Sequence, residues 1–165
     1  MRNELVAAAP FRAWIIHLMN SSGLPWRVIA KVADVEPAVA RGLLFGVNNE
    51  FPDVISQKNA QALYDVTPGK LAKLQSTPVP TESLRPYLWA LSAHGYPVAK
   101  IARYAGLQPR TARAIMASSV VWCSKLNQLH AQAACEAAGI TCLNELAMRR
   151  MRIARLEPTF EKIAA

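Results

Sequence analysis

The stretch from residue 108 to residue 114 concentrates side chains that form specific hydrogen bonds. Gln108, Arg110, Thr111 and Arg113 lie close together if this stretch is helical, because residues three and four apart are neighbours on a helix surface. A guanidinium group can donate two parallel hydrogen bonds, an amide both donates and accepts, and a hydroxyl does either. These residue types predict recognition through hydrogen bonds rather than bond-breaking chemistry.

Motifs for catalysis are absent from the sequence. It contains no GxxxxGK[ST], no GxSxG, no HExxH and no carboxylate pair beside a histidine. Cys123, Cys135 and Cys142, even with His130, do not match the spacing of a structural zinc site. We interpret the cysteines as small apolar residues packed on helices. We therefore expect a protein that is not an enzyme and that uses no metal, no cofactor and no small-molecule ligand.

The charge of the chain is basic and uneven. It holds 19 Lys and Arg against 11 Asp and Glu, a net charge of +8. Residues 1–80 hold eight against six, and residues 81–165 hold eleven against five. A basic balance favours a polyanionic partner, most often nucleic acid. No apolar run is long enough to span a bilayer, and Pro10 and Arg12 make the N-terminus a poor signal peptide, so we expect a cytoplasmic protein without membrane contact.

The chain repeats itself, which indicates one small domain duplicated. Residues 14–46 align without a gap to residues 86–118 at an offset of 72. A second similarity follows, between residues 57–62 and 128–133 at an offset of 71. The identical pairs of the first window are Gly23/Gly95, Pro25/Pro97, Ile29/Ile101, Ala30/Ala102, Ala33/Ala105, Pro37/Pro109, Ala40/Ala112 and Arg41/Arg113.

The pattern of apolar residues, prolines and glycines predicts helices nearly throughout. In the first copy they cover about 10–20, 25–32, 36–45, 56–66 and 68–74, and in the second about 82–93, 97–104, 108–117, 127–139 and 141–156. Ser56, Thr67 and Thr141 are predicted N-caps. The stretch around Val120, Val121 and Trp122 is compatible with a short extended segment, but no sheet is expected. The predicted domains are 1–74 and 82–147, with a proline-containing linker at 75–81 and a basic extension at 148–165.

The second and third helices of each copy follow the residue pattern of a helix-turn-helix. Counting starts at Trp26 in one copy and at Val98 in the other. The fifth position is alanine in both, which allows two crossing helices to approach closely. The ninth position, Asp34 or Gly106, is expected to take a left-handed backbone. The predicted core positions are Ile29, Ala30, Ala33, Val35, Ala40 and Leu43, and Ile101, Ala102, Ala105, Leu107, Ala112 and Ile115.

The segments IAKVADVEPAVARGLLFG and IARYAGLQPRTARAIMAS resemble the helix-turn-helix of the phage repressor family that includes the lambda repressor. The following SQKNAQALYDV and TPGKLAKL resemble the fourth and fifth helices of that family. The resemblance covers about residues 10–74 and 82–147. It implies an all-α fold of two tandem lambda-repressor-like bundles, each of about five helices. Tandem modules of this kind are also similar to small regulators of actinobacteria and their phages.

The resemblance implies which side chains meet DNA, because in this family the second helix of the motif enters the major groove. The residues expected to contact bases are Gln108, Arg110, Thr111, Arg113, Arg41, Ala38 and Val39. Those expected to contact phosphates are Arg27, Lys31, Lys100 and Arg103. The first copy has fewer side chains that can form specific hydrogen bonds with bases, since only Arg41 is an obvious candidate.

The function implied is a sequence-specific regulator of transcription that binds double-stranded DNA, a repressor, encoded by a bacterium or a phage and associated with the nucleoid. Two alternatives stay open. One is a protein-interaction module, such as an antirepressor or a partner of RNA polymerase. The other is an architectural DNA-binding protein, such as a recombination directionality factor. The C-terminal segment 148–157 has three interpretations: a helix that forms a homodimer, which we favour, an additional phosphate contact, or a solvated end.

Overall fold

The computed structural model describes residues 4–140 of the chain. The chain divides into two compact units between Lys73 and Leu74. The predicted cap at Thr141, the predicted last helix, and the segment 148–165 with the homodimer assigned to it lie outside the described residues.

Both units are mostly helical, as the sequence predicts, and each also contains a two-stranded sheet. The first unit contains, in chain order, β1 (Leu5–Ala7), α1 (Ala9–Ser22), α2 (Trp26–Ala33), α3 (Pro37–Phe45), β2 (Val54–Ser56), α4 (Gln57–Tyr64) and α5 (Pro68–Ser76), the last of which runs across the boundary. The second contains β3 (Pro78–Pro80), a 3-10 turn (Thr81–Ser83), α6 (Arg85–Ala93), α7 (Val98–Tyr104), α8 (Pro109–Met116), β4 (Trp122–Ser124) and α9 (Lys125–Ala137).

The two sheets change two sequence-based predictions. The predicted all-α fold is confirmed only as a mostly helical one, because β1 pairs antiparallel with β2 and β3 pairs antiparallel with β4. Residues 75–81 are not only a linker, because Pro78–Pro80 is β3. Prolines are tolerated in β3 because each strand of a two-stranded sheet has one unpaired edge, where no N–H group has to donate a hydrogen bond. The predicted extended stretch before α9 is confirmed in part, as Trp122–Ser124 is β4.

Helix ends follow the residues that the sequence singles out. Ser56 and Ser124 cap α4 and α9 by accepting from the backbone N–H groups of Asn59 and Asn127. The Thr67 hydroxyl accepts from the N–H of Lys70 at the start of α5. The predicted caps at Ser56 and Thr67 are thus confirmed. The first turn of α1, α3, α6 and α8 contains a proline, whose missing N–H would have had no partner within the helix.

Each unit has its own apolar core. In the first, Ile15 and Leu18 of α1 pack with Ile29, Leu43 and Leu63. In the second, the fully buried members are Leu84, Leu88, Leu91, Ala105, Ala131, Ile101 and Ile115. The core therefore holds the first helix of each unit against the two helices that follow it.

The offset between the copies changes along the chain, which corrects the ungapped alignment. The β1 segment and α1 match their counterparts at an offset of 73, as Ala8 N–H donates to the Asp53 carbonyl and Thr81 N–H to the Val121 carbonyl. The α2–α3 pair matches α7–α8 at 72. The caps Ser56 and Ser124 match at 68, so the similarity at 71 does not align the starts of α4 and α9. The first copy therefore has four more residues between the start of α3 and the start of β2.

Candidate nucleic-acid interface

The turns between α2 and α3 and between α7 and α8 have the same backbone geometry. Asp34 has φ +57° and Gly106 has φ +65°, so the predicted left-handed ninth position is confirmed in both units. The N–H of Val35 donates to the Ala30 carbonyl at 3.0 Å, and that of Leu107 donates to the Ala102 carbonyl at 2.8 Å. Each turn is thus closed by the same hydrogen bond.

The predicted core positions face inwards in both units. Ten of the twelve are at most 5 % exposed; Ala33 is 8 % exposed, and Leu107 is half-buried but packs on the second core. Alanine at the fifth position, Ala30 or Ala102, is almost completely buried where the helices cross. The opposite face of α3 and of α8 is therefore the face left to solvent.

The exposed face of α8 carries the side chains predicted to read bases. Gln108, Arg110 and Arg113 are exposed, and Thr111 is half-buried beside them. Among residues 4–140, the guanidinium groups of Arg110 and Arg113 have no ion-pair or hydrogen-bonding partner. Lys100 and Arg103 on α7 are exposed as well. Four cations on two adjacent helices therefore face solvent.

The corresponding face of α3 is different in chemistry. Ala38 and Arg41 are exposed, whereas Val39 is half-buried and packs against the first core. Arg27 is half-buried with its guanidinium 4.5 Å from the centre of the Trp26 ring. Lys31 is half-buried and already engaged in an interaction. This face offers fewer free hydrogen-bonding groups than that of α8.

Sequence reasoning missed Arg12 and Arg85, which support α3 and α8 from behind. Arg12 Nε donates to the Leu43 carbonyl at 2.6 Å, and Arg85 Nε donates to the Ile115 carbonyl at 2.8 Å. Arg85 is only 4 % exposed, and its Nη2 also donates to Thr81 Oγ1 at 3.2 Å. One feature of the sequence could have indicated them. Arg12 and Arg85 are 73 residues apart and so occupy equivalent positions in the two copies, if the offset at the first helix is 73 and not the 72 of the α2–α3 repeat.

The α7–α8 turn has a polar support that the first unit does not share. Asn127 Nδ2 donates to the carbonyls of Ala105 and Gly106 at 2.8 and 3.2 Å. His130 lies beside Asn127, and a Cβ built on Gly106 would be 3.2 Å from His130 Nε2. Burial lowers the pKa of His130 from its ordinary value of 6.5. The imidazole therefore stays neutral to a lower pH than a solvated histidine.

The cysteines of the described residues are unreactive in character. Burial raises the pKa of Cys123, and burial with the nearby Glu136 carboxylate raises that of Cys135 to about 12. Within residues 4–140, no group of three or more His, Cys, Asp or Glu is placed to hold a metal ion. Nor does any helix in this range have the length and apolar character required to cross a membrane.

Comparisons with protein-family models, with curated proteins and with solved structures find no match to the chain. The candidate function is therefore inferred from the surface of α7 and α8 and from its counterpart in the first unit.

Proposed function

We propose that the chain is a sequence-specific regulator of transcription that binds double-stranded DNA through α8. The observation that carries the proposal is the pair Arg110 and Arg113, exposed and without partners among the described residues on a helix whose other face is core. An α-helix fits the major groove of B-DNA, where base edges are exposed. Guanidinium groups without a partner among residues 4–140 on such a helix support the proposal that they bond with those edges.

The residue types on α8 match the hydrogen-bonding groups of bases. Arginine forms two bonds with the O6 and N7 atoms of guanine, and glutamine forms two with adenine. Gln108, at the N-cap, and Arg110, one residue into the helix, lie at the end that enters a groove first. Thr111 can donate, accept or touch a thymine methyl group. We expect a site that contains guanine at two positions.

Lys100 and Arg103 supply affinity rather than sequence preference in this proposal. Both are exposed on α7, next to α8 in sequence and space. Cations beside a groove-bound helix contact phosphates, and each neutralised phosphate releases counterions. A protein seated in a groove excludes other proteins from the same base pairs, so we propose repression as the outcome and the nucleoid as the location.

A selection from a random duplex library tests the proposal. The full chain is incubated with the library, and the bound sequences are read. We expect a consensus in the wild type and loss of preference at one position each in Arg110→Ala and Arg113→Ala, at a cost of about 1–3 kcal/mol per contact. Lys58→Ala and Lys70→Ala, which remove exposed cations of the first unit, are the matched controls and should keep the consensus. Absence of a consensus, or one that survives both arginine variants, contradicts the proposal.

Salt dependence separates the two roles. A plot of log affinity against log salt concentration should become shallower by about one unit of slope in Lys100→Ala and in Arg103→Ala, with the consensus unchanged. If these variants alter base preference without changing the slope, the assignment of phosphate contacts to α7 is wrong.

A further inference from the structure

The first unit has a structural element that its copy does not. The four additional residues between the start of α3 and the start of β2 correspond in length to a tight hairpin, Val47–Glu50. The N–H of Val47 donates to the Glu50 carbonyl at 2.8 Å, and the N–H of Glu50 donates to the Val47 carbonyl at 3.0 Å. Asn48 and Asn49 have φ +53° and +65°, the signs that a two-residue type I′ turn requires. We call this element the 47–50 hairpin.

The 47–50 hairpin contacts α3 at its first residue, and the residue that follows it contacts α1. Gly46, which joins it to α3, has φ +75°, and a Cβ there would lie 2.7 Å from the Glu50 carbonyl oxygen. Val47 Cγ2 lies 3.9 Å from the position that a Cβ on Gly42 would take. Beyond the turn, the Arg12 guanidinium lies 4.0 Å from the centre of the Phe51 ring. The hairpin is therefore a defined wall rather than a loose loop.

Between this wall and the helices lies a cleft of about 480 Å³, which we call the first-unit cleft. Trp26 and Arg27 of α2 form one side, Ala38 and Arg41 of α3 another, and Val47 of the hairpin closes it. Its volume is in the range of clefts that take a small ligand or a side chain from a partner. The apolar surface continues outside it, because Phe45 and Phe51, which do not line the cleft, are 60 % and 52 % exposed.

Charge separates this surface from the face of α8. Residues 4–73 hold seven Lys and Arg against six Asp and Glu, whereas residues 74–140 hold six against two. The turn before α3 exposes the carboxylates of Asp34 and Glu36, and the equivalent positions before α8 are Gly106 and Gln108. Carboxylates at a groove-facing turn repel phosphate, and exposed aromatic rings gain little from a phosphate backbone. Double-stranded DNA is thus a poor occupant of the first-unit cleft.

We propose that the first-unit cleft binds a segment of a partner protein that carries an apolar side chain next to a carboxylate. The apolar side chain enters between Trp26 and Val47, and the carboxylate pairs with Arg41 at the rim. Arg41 is exposed and has no partner among residues 4–140. Arg27, whose guanidinium lies 4.5 Å from the centre of the Trp26 ring, supplies the second cation. Arginine and tryptophan are the residues that most often dominate protein interfaces. The proposal does not depend on DNA binding by α8.

A random peptide library displayed on phage and selected against the immobilised full chain tests the proposal. We expect the enriched peptides to contain an aromatic or aliphatic residue within two positions of Asp or Glu. One enriched peptide, synthesised with a fluorophore, should bind at least 10-fold more weakly to Arg41→Ala and to Val47→Asp. Arg113→Ala, the variant at the position equivalent to Arg41 in the second unit, is the matched control and should leave peptide affinity unchanged.

The outcomes are distinct. No enrichment, enrichment without an acidic residue, or peptide binding that is indifferent to both Arg41→Ala and Val47→Asp overturns the proposal. If the double variant Arg27→Ala/Arg41→Ala weakens duplex DNA binding as much as Arg110→Ala/Arg113→Ala does, the cleft binds DNA and the proposal is likewise overturned. Circular dichroism of each variant shows that it is folded. Because peptide binding is measured without DNA, its result is independent of whether α8 reads bases.

Discussion

Replacing Gly106 with alanine tests whether the turn before α8 depends on a left-handed residue and on the packing behind it. The backbone of Gly106 has φ +65°, where alanine is strained. A Cβ there would lie 3.2 Å from His130 Nε2, 3.3 Å from His130 Cδ2 and 3.4 Å from Asn127 Nδ2. The substitution therefore adds backbone strain and crowds two side chains.

The magnitude follows from three contributions. A left-handed conformation costs an L-residue about 1–2 kcal/mol. Alanine loses less entropy than glycine on folding, which returns about 0.4–1 kcal/mol. Displacing Asn127 weakens its hydrogen bonds to the Ala105 and Gly106 carbonyls, each with a net value of about 1 kcal/mol. We expect the free energy of local unfolding of the α7–α8 pair to fall by about 1–3 kcal/mol.

Asp34→Ala is the matched control, because Asp34 occupies the same turn position and already carries a Cβ. Its cost should be smaller than that of Gly106→Ala, because the turn already accommodates a Cβ at this position and aspartate and alanine both carry the strain of a left-handed backbone. Hydrogen exchange followed by mass spectrometry of the full chain resolves the two turns. Peptides from 98–116 should exchange about 5- to 150-fold faster in Gly106→Ala. Equal acceleration at 26–45 in Asp34→Ala, or none in Gly106→Ala, would refute the reasoning.

Four further predictions follow from individual contacts. Arg85→Lys should lower the free energy of unfolding of the second unit by about 1–3 kcal/mol, since one amine cannot replace the guanidinium contacts to Ile115 and Thr81; Arg12→Lys, at a half-buried site, should cost less in urea unfolding. Ser56→Ala and Ser124→Ala should each cost about 1 kcal/mol, seen as faster hydrogen exchange confined to the start of α4 or α9. At pH 8, Cys135 should be alkylated by iodoacetamide more slowly than Cys123, because a pKa of about 12 leaves roughly one thiolate in 10⁴; urea should abolish the difference, and equal native rates would contradict the burial. Because the folded pKa of His130 is below 6.5, its contribution to stability is present above that pH and is lost as pH falls; protection against exchange in the second unit, corrected for the intrinsic slowing of exchange in acid, should fall on acidification in the wild type and less so in His130→Gln.

The helices could be predicted from the sequence because their signals are local. The bounds of α1 to α9 agree with the predicted ones within a few residues. The signals were prolines in first turns, serine and threonine caps, and apolar residues at helical spacing. The sheets could not, because β3 contains two prolines and its pairing partner β4 lies about 44 residues away. A three-residue strand has too little periodicity to be recognised, and its hydrogen bonds depend on a fold that is already formed.

In the candidate site, the exposed residues could be predicted from the sequence, but the contacts that support them could not. The exposure of Arg110 and Arg113 follows from helix periodicity, once Ala112 and Ile115 are assigned to the core. The support from Arg85 was not predictable, because an arginine on a helix usually faces water. Its burial depends on the carbonyl of Ile115, 30 residues further along the chain. The first-unit cleft depends on a turn of two asparagines, which the sequence alone presents only as a loop.

The two units differ in chemistry at positions that have the same exposure. Ala38 and Arg110 are both exposed, Val39 and Thr111 are both half-buried, and the arginine at position 41 or 113 is exposed in each. Because each turn and each supporting arginine is geometrically alike, the scaffold presents both faces equally, and the side chains decide what each can bind. The 47–50 hairpin follows α3 directly and adds a wall without altering the buried residues on that helix. A duplicated scaffold can therefore carry two different recognition surfaces, since changes on the exposed face leave the core that orients it intact.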